Sequence, residues 1–224
     1  MNRPLSHRRL RFPPPGRRGA TPGRVLGFSL TEALLIAAVF AIVSAVVLQT
    51  TGQSLRREEL NAVTVELYGW LEGIQRKAMS VDPSAREANP QQFPVCRVTF
   101  TAGELQPGSV VAEAPLACAP GSIEREGRAV FLLPNSNANK AFLVQVFNAS
   151  AVSFAPRGTV TFFQGDSNQP VDGPLTVEIT RQGHSLTRCL RVEPLLGFLA
   201  IGAMNNANPS EAQDCPDSSF EGPF

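Results

Sequence analysis

Acidic residues are absent from the first 27 positions of this 224-residue chain, a segment that contains seven arginines. Without that leader, 13 basic residues (20 minus 7) face 19 acidic ones, which gives a formal charge of −6. An acidic protein is a poor general ligand for nucleic acid, because that affinity comes largely from neutralising phosphates. The arginines instead precede an apolar stretch, and basic residues beside a membrane segment stay in the cytoplasm.

Motifs that carry catalysis or bind metals are also missing. The chain has no nucleophile elbow, no zinc-protease motif and no phosphate-binding glycine loop. His184 is the only histidine after the leader, and no two cysteines form a Cys-x-x-Cys pair, so we expect no zinc site. Asp166, Asn168 and Asp172 offer oxygen ligands for calcium, but their spacing fits no EF-hand and a plain turn is favoured. We therefore expect no enzyme and no cofactor.

The most informative segment present is a 21-residue apolar stretch, Phe28–Leu48, which contains one carboxylate, Glu32. A continuous apolar run of this length crosses a bilayer as a helix. A charge inside such a run costs roughly 2.5–3.5 kcal/mol at mid-helix, so a functional partner is expected for it. The carboxylate stands in the string Gly27-Phe28-Ser29-Leu30-Thr31-Glu32.

That string resembles the processing site of type IV prepilins and pseudopilins. The resemblance implies that a prepilin peptidase cuts after Gly27 and methylates the new terminal Phe28. It implies that Glu32 pairs with the amino group of Phe28 and guides assembly with other pilin or pseudopilin subunits. The chain would lie in the inner membrane, with its N-terminus cytoplasmic and its head periplasmic, and later in an extracellular filament. An ordinary secretory signal places its apolar core before the cut, whereas here the core stays with the protein.

Helical periodicity continues beyond the apolar stretch. Apolar residues recur every three or four positions, which predicts one face of an amphipathic helix. We predict a helix over Phe28–Ser80, in which residues 28–48 occupy the membrane or filament core and residues 49–80 pack on a head. Tyr68 and Trp70 are expected to contact that head. The apolar positions are Leu60, Val63, Leu67, Leu71, Ile74 and Ala78.

The period changes to two after a polar loop at residues 81–95. Short runs rich in Val, Phe and Thr then recur between turn residues and predict antiparallel strands in a head of residues 81–224. Turns are predicted at Arg181–His184, where Gly183 supplies a positive φ, and at Pro194–Gly197. The predicted class is α+β, a long N-terminal helix on an antiparallel sheet or sandwich. The predicted strands are Cys96–Thr101, Ser109–Ala112, Ala129–Leu133, Ala141–Phe147, Val152–Phe154, Thr159–Phe163, Leu175–Thr180, Ser185–Val192 and Phe198–Ala203.

All four cysteines follow the apolar stretch and therefore face an oxidising compartment. Four cysteines allow three pairings, and proximity in sequence favours Cys96–Cys118 and Cys189–Cys215. By loop-entropy arithmetic each bond contributes about 3 kcal/mol. The second bond would tie the polar C-terminal tail to the sheet.

A second, weaker resemblance covers the last third of the chain. Val152–Thr159, with a final hairpin followed by Arg188-Cys189-Leu190, looks like the GspH/FimT family of minor pilins and pseudopilins. DNA-binding members of that family carry a Gly-Arg-x-Arg turn, and the comparable Gly197-Phe198-Leu199-Ala200 has no arginine. Cations that could gather into a basic patch on the C-terminal hairpin are Arg157, Arg181, Arg188 and Arg191.

These observations together predict a structural minor subunit of a type IV pilus or a type II secretion pseudopilus. Two alternatives stay open. A DNA-uptake minor pilin would bind DNA through its C-terminal hairpin, with an affinity that falls steeply with salt. A membrane-anchored periplasmic enzyme would keep an uncut N-terminus and would need a pocket with perturbed titratable groups.

Overall fold

The structure is a computed structural model. It describes residues 29–80, 95–119, 121–135, 140–165, 169–205 and 215–220, with residues 49–53 described by their backbone alone. The predicted processing residues Gly27 and Phe28, and Asp166 and Asn168 of the predicted calcium alternative, lie outside the described residues. The chain divides into two compact units, Met1–Leu48 and Gln49–Phe224.

Helix α1 spans Leu30–Met79 and is 50 residues long, close to the predicted 28–80. Ser29 precedes its first turn, and the Ser29 hydroxyl accepts a hydrogen bond from the Glu32 backbone N–H at 3.4 Å. Serine is favoured before a helix because its oxygen satisfies an amide that has no partner in the first turn. At the other end the Ser80 hydroxyl donates to the Lys77 carbonyl at 2.7 Å, which satisfies a carbonyl of the last turn.

The second half of α1 buries the predicted apolar stripe. The six stripe residues are each at most 3% exposed, because side chains three and four positions apart share one face of a helix. Trp70 and Tyr68 are partly buried against the same core. The Trp70 indole N–H donates to the Ser122 hydroxyl at 2.9 Å, and its ring lies 6.1 Å from that of Phe131. Both aromatic residues therefore contact the head, as predicted.

Twelve strands follow α1 in the described part of the chain. Each predicted strand has a counterpart, whereas β2, β4 and β9 were not predicted, because two or three residues are too few to show alternation. Short 3₁₀ turns lie at Leu116–Cys118 and Asp217–Phe220. The strands are β1 (Cys96–Phe100), β2 (Gly103–Leu105), β3 (Val110–Pro115), β4 (Ile123–Arg125), β5 (Arg128–Leu132), β6 (Phe142–Phe147), β7 (Ala151–Phe154), β8 (Val160–Phe163), β9 (Pro170–Val171), β10 (Leu175–Arg181), β11 (Leu186–Val192) and β12 (Leu199–Asn205).

These strands form two antiparallel sheets, so the α+β class is confirmed. Sheet A has the order β4-β5-β3-β1-β7-β8-β9, and sheet B has the order β12-β11-β10-β6-β2. The predicted turn at Gly183 (φ 79°) joins β10 to β11, with Thr180 opposite Thr187. The second predicted turn joins β11 to β12, and there Leu195 (φ 70°) and Gly197 (φ 62°) both have positive φ.

One core unites the α1 stripe with one face of each sheet. Val98 and Val152 contribute from sheet A, and Val177 and Leu190 from sheet B, all of them fully buried. Fully burying such a side chain contributes about 1.5–3 kcal/mol. The second half of α1 is therefore a structural part of the head.

Two disulfides fasten loops to this core. Cys96 of β1 pairs with Cys118 in the turn after β3, and Cys189 of β11 pairs with Cys215. The Cα atoms are 5.6 and 6.4 Å apart, within the range that a disulfide spans. These are the pairs that sequence proximity predicted.

Candidate functional site

The first candidate site is the apolar part of α1, Leu30–Leu48. It is long and apolar enough to cross a membrane, with a mean hydropathy of 2.4. Every residue in it is exposed in the structure. Exposed apolar surface of this extent marks a site of contact with membrane or protein, because leaving it in water is unfavourable.

Glu32 is the only charged residue between Leu30 and Leu48. It lies in the first turn of α1, where a carboxylate interacts favourably with the positive end of the helix dipole. Its side chain is exposed. The predicted partner of this carboxylate, the amino group of Phe28, lies outside the described residues, so their pairing stays a prediction.

The four arginines considered for DNA binding do not gather on one exposed surface. Arg181, the last residue of β10, is 3% exposed and forms a salt bridge with Glu59 of α1. Its guanidinium carbon lies 5.6 Å from the centre of the Phe142 ring. Burial lowers the pKa of Arg181, and the positive charge of Arg56 lowers it further. Arg181 thus joins helix to sheet and is not available to a phosphate.

Arg191 is also buried, but on the opposite side of sheet B from the core. One Nη is 2.5 Å from an Asp217 carboxylate oxygen, and the other donates to the Cys215 carbonyl at 2.9 Å. The guanidinium lies 4.2 Å from the centre of the Phe220 ring. Together with the Cys189–Cys215 disulfide, these contacts hold the C-terminal segment against the sheet.

The other two arginines are more accessible, and they lie on different elements of the head. Arg188 is half-buried on the face of β11 that also carries Leu190, and burial lowers its pKa. Arg157 is exposed in the turn after β7. Two of the four cations are buried, so the set does not form the accessible patch that phosphate binding requires.

A different group of positive charges acts on His184. Burial is the main cause that lowers the pKa of His184, and the charges of Arg56, Arg57, Arg181 and Lys140 lower it further. These cations come from α1, the end of β10 and the segment before β6, which are far apart in sequence. The adjacent pair Arg56-Arg57 is the one feature in the sequence that pointed to this basic cluster, and pattern reasoning missed it.

Metal binding has one candidate group among the described residues. Ligand atoms of Glu178, Cys189 and Cys215 all lie within 4.8 Å of one another. The two sulfurs are joined in a disulfide, so neither is the thiolate that a metal ion would need. This group therefore does not fit a metal site.

Two grooves lie along the second half of α1. One, of about 540 Å³, runs past Gly69 and Gly73 to the loop at Gly121 and Ser122. The other, of about 460 Å³, lies between Tyr68 and the turns that carry Arg157 and Phe198. Arg76 lines both grooves. The outward side of α1 between them is therefore open to a partner.

Comparisons with known proteins give no assignment. No family model matches the chain, and no curated protein or solved structure matches it. The resemblance to prepilins therefore stays a prediction from the string Gly27 to Glu32.

Proposed function

We propose that this chain is a minor subunit of a type IV pilus or a type II secretion pseudopilus, a structural protein and not an enzyme. The observation that carries the proposal is the division of α1. Leu30–Leu48 is apolar, exposed and contains one carboxylate in its first turn, whereas the same helix from Leu60 onward packs one face into the core of a β-rich head. A filament subunit needs both properties in one helix.

In this proposal the apolar segment first lies in the inner membrane and then in the filament core. Prepilin peptidase cuts after Gly27 and methylates Phe28. Glu32 pairs with the amino group of Phe28 in the same or a neighbouring subunit. In an apolar surrounding this pair contributes to assembly, since water does not compete for either charge.

The head supplies the outer, periplasmic surface of the subunit. Its core and the buried Arg181–Glu59 salt bridge join the second half of α1 to the sheets. The two disulfides fasten loops of the head.

Processing gives the direct test. Gly27→Leu places a bulky side chain at the cut, so the full-length precursor should accumulate in membranes, while Gly23→Leu in the same leader should be cut normally. Mass spectrometry of the intact protein and N-terminal sequencing distinguish the two. A wild-type mature chain should begin at a methylated Phe28.

Normal-length mature protein from Gly27→Leu would contradict the proposal. An uncut N-terminus in the wild-type chain, under conditions where other prepilins of the same cell are processed, would contradict it equally. The latter outcome would favour the membrane-anchored enzyme.

A second candidate function, DNA uptake, would use Arg56, Arg57 and Lys140, whose positive charges lower the pKa of His184. These cations replace the C-terminal arginines as the group that could meet phosphates. The net charge of −6 after the leader opposes strong binding. We therefore rank DNA uptake second.

A further inference from the structure

Two adjacent arginines, Arg56 and Arg57, stand shortly after the apolar half of α1. They are the only basic residues between Phe28 and Gln75. Arg56 is half-buried, and Arg57 is exposed. Arg56 follows Leu48 by eight residues, which is about 12 Å of helix at 1.5 Å per residue. This pair is therefore the first positive charge after the apolar segment.

The hairpin between β10 and β11 brings a third cation to the same region of the head. Arg181, at the start of this hairpin, forms its salt bridge with Glu59 of α1. Glu59 is three residues beyond Arg56, and residues three apart share one side of a helix. At the hairpin turn, Lys140 Nζ lies 3.3 Å from the place that a Cβ on Gly183 would occupy. The fold thus brings Lys140, which is exposed, to the side of the hairpin that meets α1.

These three cations form one positive region, although acids lie beside it. Glu58 is the next residue of α1 after the arginines, and the Glu104 carboxylate accepts a hydrogen bond from the Gln182 side-chain amide at 3.3 Å. Among the described residues, the charges that shift the pKa of His184 are nevertheless all positive. None of the three cations forms an ion pair with another described residue. We call Arg56, Arg57 and Lys140 the basic cluster.

We propose that the basic cluster binds the phosphate groups of anionic phospholipids in the periplasmic leaflet of the membrane that Leu30–Leu48 crosses. The inference rests on the proposed function for its membrane anchor alone and needs neither cleavage nor assembly. The contact holds this end of the head at the membrane before the subunit joins a filament.

The distance along α1 fits a contact with lipid headgroups. A bilayer has a hydrocarbon core of about 30 Å and measures about 40–45 Å with its headgroups, which leaves roughly 5–8 Å of headgroup on each side. Side chains of a helix tilt toward its N-terminus, so the arginine side chains extend back along the helix toward Leu48. Leu55, beside them, is 60% exposed. An exposed apolar residue next to cations is typical of helices that lie at an anionic membrane surface.

Anchoring favours lipid over a soluble polyanion as the ligand of these cations. A chain held in the membrane has phospholipid headgroups beside the basic cluster at all times, so weak individual contacts are sufficient. The net charge of −6 after the leader repels a polyanion that approaches from solution. Charges farther than about 8 Å from a lipid phosphate are screened at physiological salt, so acids elsewhere on the head do not prevent this contact.

Intact-mass spectrometry of the chain in neutral detergent micelles tests the proposal. The micelles carry equal amounts of phosphatidylglycerol, which is anionic, and phosphatidylcholine, which is zwitterionic, and the lipids retained on the protein are counted. The wild-type chain should retain phosphatidylglycerol in preference. Changing both Arg56→Gln and Arg57→Gln should lower the ratio of the two retained lipids about 30-fold, since each cation near an anionic surface contributes about 1 kcal/mol and 1.4 kcal/mol is a factor of ten.

The matched control is a second adjacent basic pair on the same helix. Arg76 and Lys77 are both exposed, and they lie 20 residues farther from Leu48 than the first pair. Changing both Arg76→Gln and Lys77→Gln removes the same charge and should leave the ratio of retained lipids unchanged.

A variant on another element separates loss of the contact from loss of folding. Lys140→Gln, in the segment before β6, should lower the ratio about fivefold by the same conversion. Unfolding curves followed by Trp70 fluorescence should be the same for this variant, the arginine double variant and the wild-type chain.

Three results would overturn the proposal. One is an equal ratio of retained lipids in the wild-type chain and the arginine double variant, or an equal loss in the Arg76 and Lys77 control. Another is displacement of phosphatidylglycerol by inorganic phosphate at constant ionic strength, which would show a site for free anions. The third is submicromolar binding of duplex DNA that is lost in the arginine double variant, which would assign the basic cluster to DNA.

These outcomes are separable from processing. Chains cut after Gly27 that show no preference for phosphatidylglycerol contradict only this inference. Uncut chains that retain phosphatidylglycerol through Arg56 and Arg57 contradict only the proposed function.

Discussion

The two halves of helix α1 use hydrophobic residues in different ways. Between Leu30 and Leu48 apolar side chains surround the whole helix, and all are exposed. Between Leu60 and Ala78 the six stripe residues share one side of the helix and are at most 3% exposed. A helix that is apolar on every side needs an apolar surrounding, whereas an amphipathic one needs a single partner surface.

The two halves of α1 therefore depend on different surroundings for their stability. Folding of the head already buries the apolar residues of the second half. The side chains of the first half are exposed and are not members of the head's core. Substitutions in the first half should therefore change insertion and assembly, and substitutions in the second half should change folding.

The largest expected effect is on assembly. Glu32→Ala should still insert and be cut, because removing a charge makes an apolar helix easier to insert. It should be strongly depleted from sheared filaments, because an amino group left unpaired in an apolar core costs several kcal/mol. Each 1.4 kcal/mol lowers the equilibrium constant for assembly about tenfold. Quantitative immunoblotting of sheared filaments measures this. Glu58→Ala in the second half is the control, and equal recovery of both variants would show that Glu32 is not the assembly residue.

The next largest expected effect is on the stability of the head, which should differ between substitutions in the two halves of α1. Leu71→Ala, at a fully buried position, should destabilise the head by about 2–5 kcal/mol through lost contacts and a cavity. Leu35→Ala, at a position 67% exposed, should leave head stability nearly unchanged. Denaturant unfolding of the detergent-solubilised chain, followed by the fluorescence of its single tryptophan, Trp70, measures both. Equal destabilisation by the two variants would contradict the division of α1.

A smaller effect is expected on the affinity of the chain for duplex DNA. Because Arg181 and Arg191 are buried, the chain should bind duplex DNA no more tightly than about 10⁻⁴–10⁻⁶ M at physiological salt. Gel-shift titration of the mature chain in detergent checks this. Any remaining affinity should fall when Arg56 and Arg57 are both changed to Ala, and should persist in Arg188→Ala. Submicromolar binding lost in Arg188→Ala would instead restore the C-terminal hairpin as a DNA site.

The smallest expected effect is the pH dependence of head stability that comes from His184, in the hairpin between β10 and β11. Its folded-state pKa lies below the usual 6.5, so the unfolded chain takes up this proton first. Head stability should therefore fall as the pH drops below about 6.5 and be independent of this group above it. His184→Gln should reduce that loss slightly in unfolding curves between pH 5 and about 8. A larger loss of head stability at low pH in the variant would mean that the direction given for the His184 pKa shift is wrong.

Patterns with strong periodicity were readable from the sequence. The α1 stripe, the nine longer strands and the Gly183 turn follow from the spacing of apolar residues and from backbone requirements, which are local properties. Both disulfide pairs followed from proximity. The three shortest strands were not readable, since β9 has two residues and takes its conformation from pairing with β8.

The arginines show why the candidate site was harder to predict than the fold. In sequence, Arg181 and Arg191 resemble Arg157, and all are cations near turns or in alternating strands. The alternation of β11 puts Arg191 on the face opposite the core, and the C-terminal segment then covers it. Arg181 lies on the core side, where Glu59 of α1 reaches it from more than a hundred residues earlier in the chain.

By itself the sequence determined the apolar helix with its single carboxylate, the amphipathic continuation and the α+β class, and it favoured the cysteine pairing that the structure has. Each depends on spacing or composition over a short stretch. Only the tertiary structure decided which charges are buried, which cations gather around His184 and which side of α1 stays open. Those outcomes depend on residues far apart in sequence, because burial and electrostatic environment are set by what packs against a side chain and not by its neighbours along the chain.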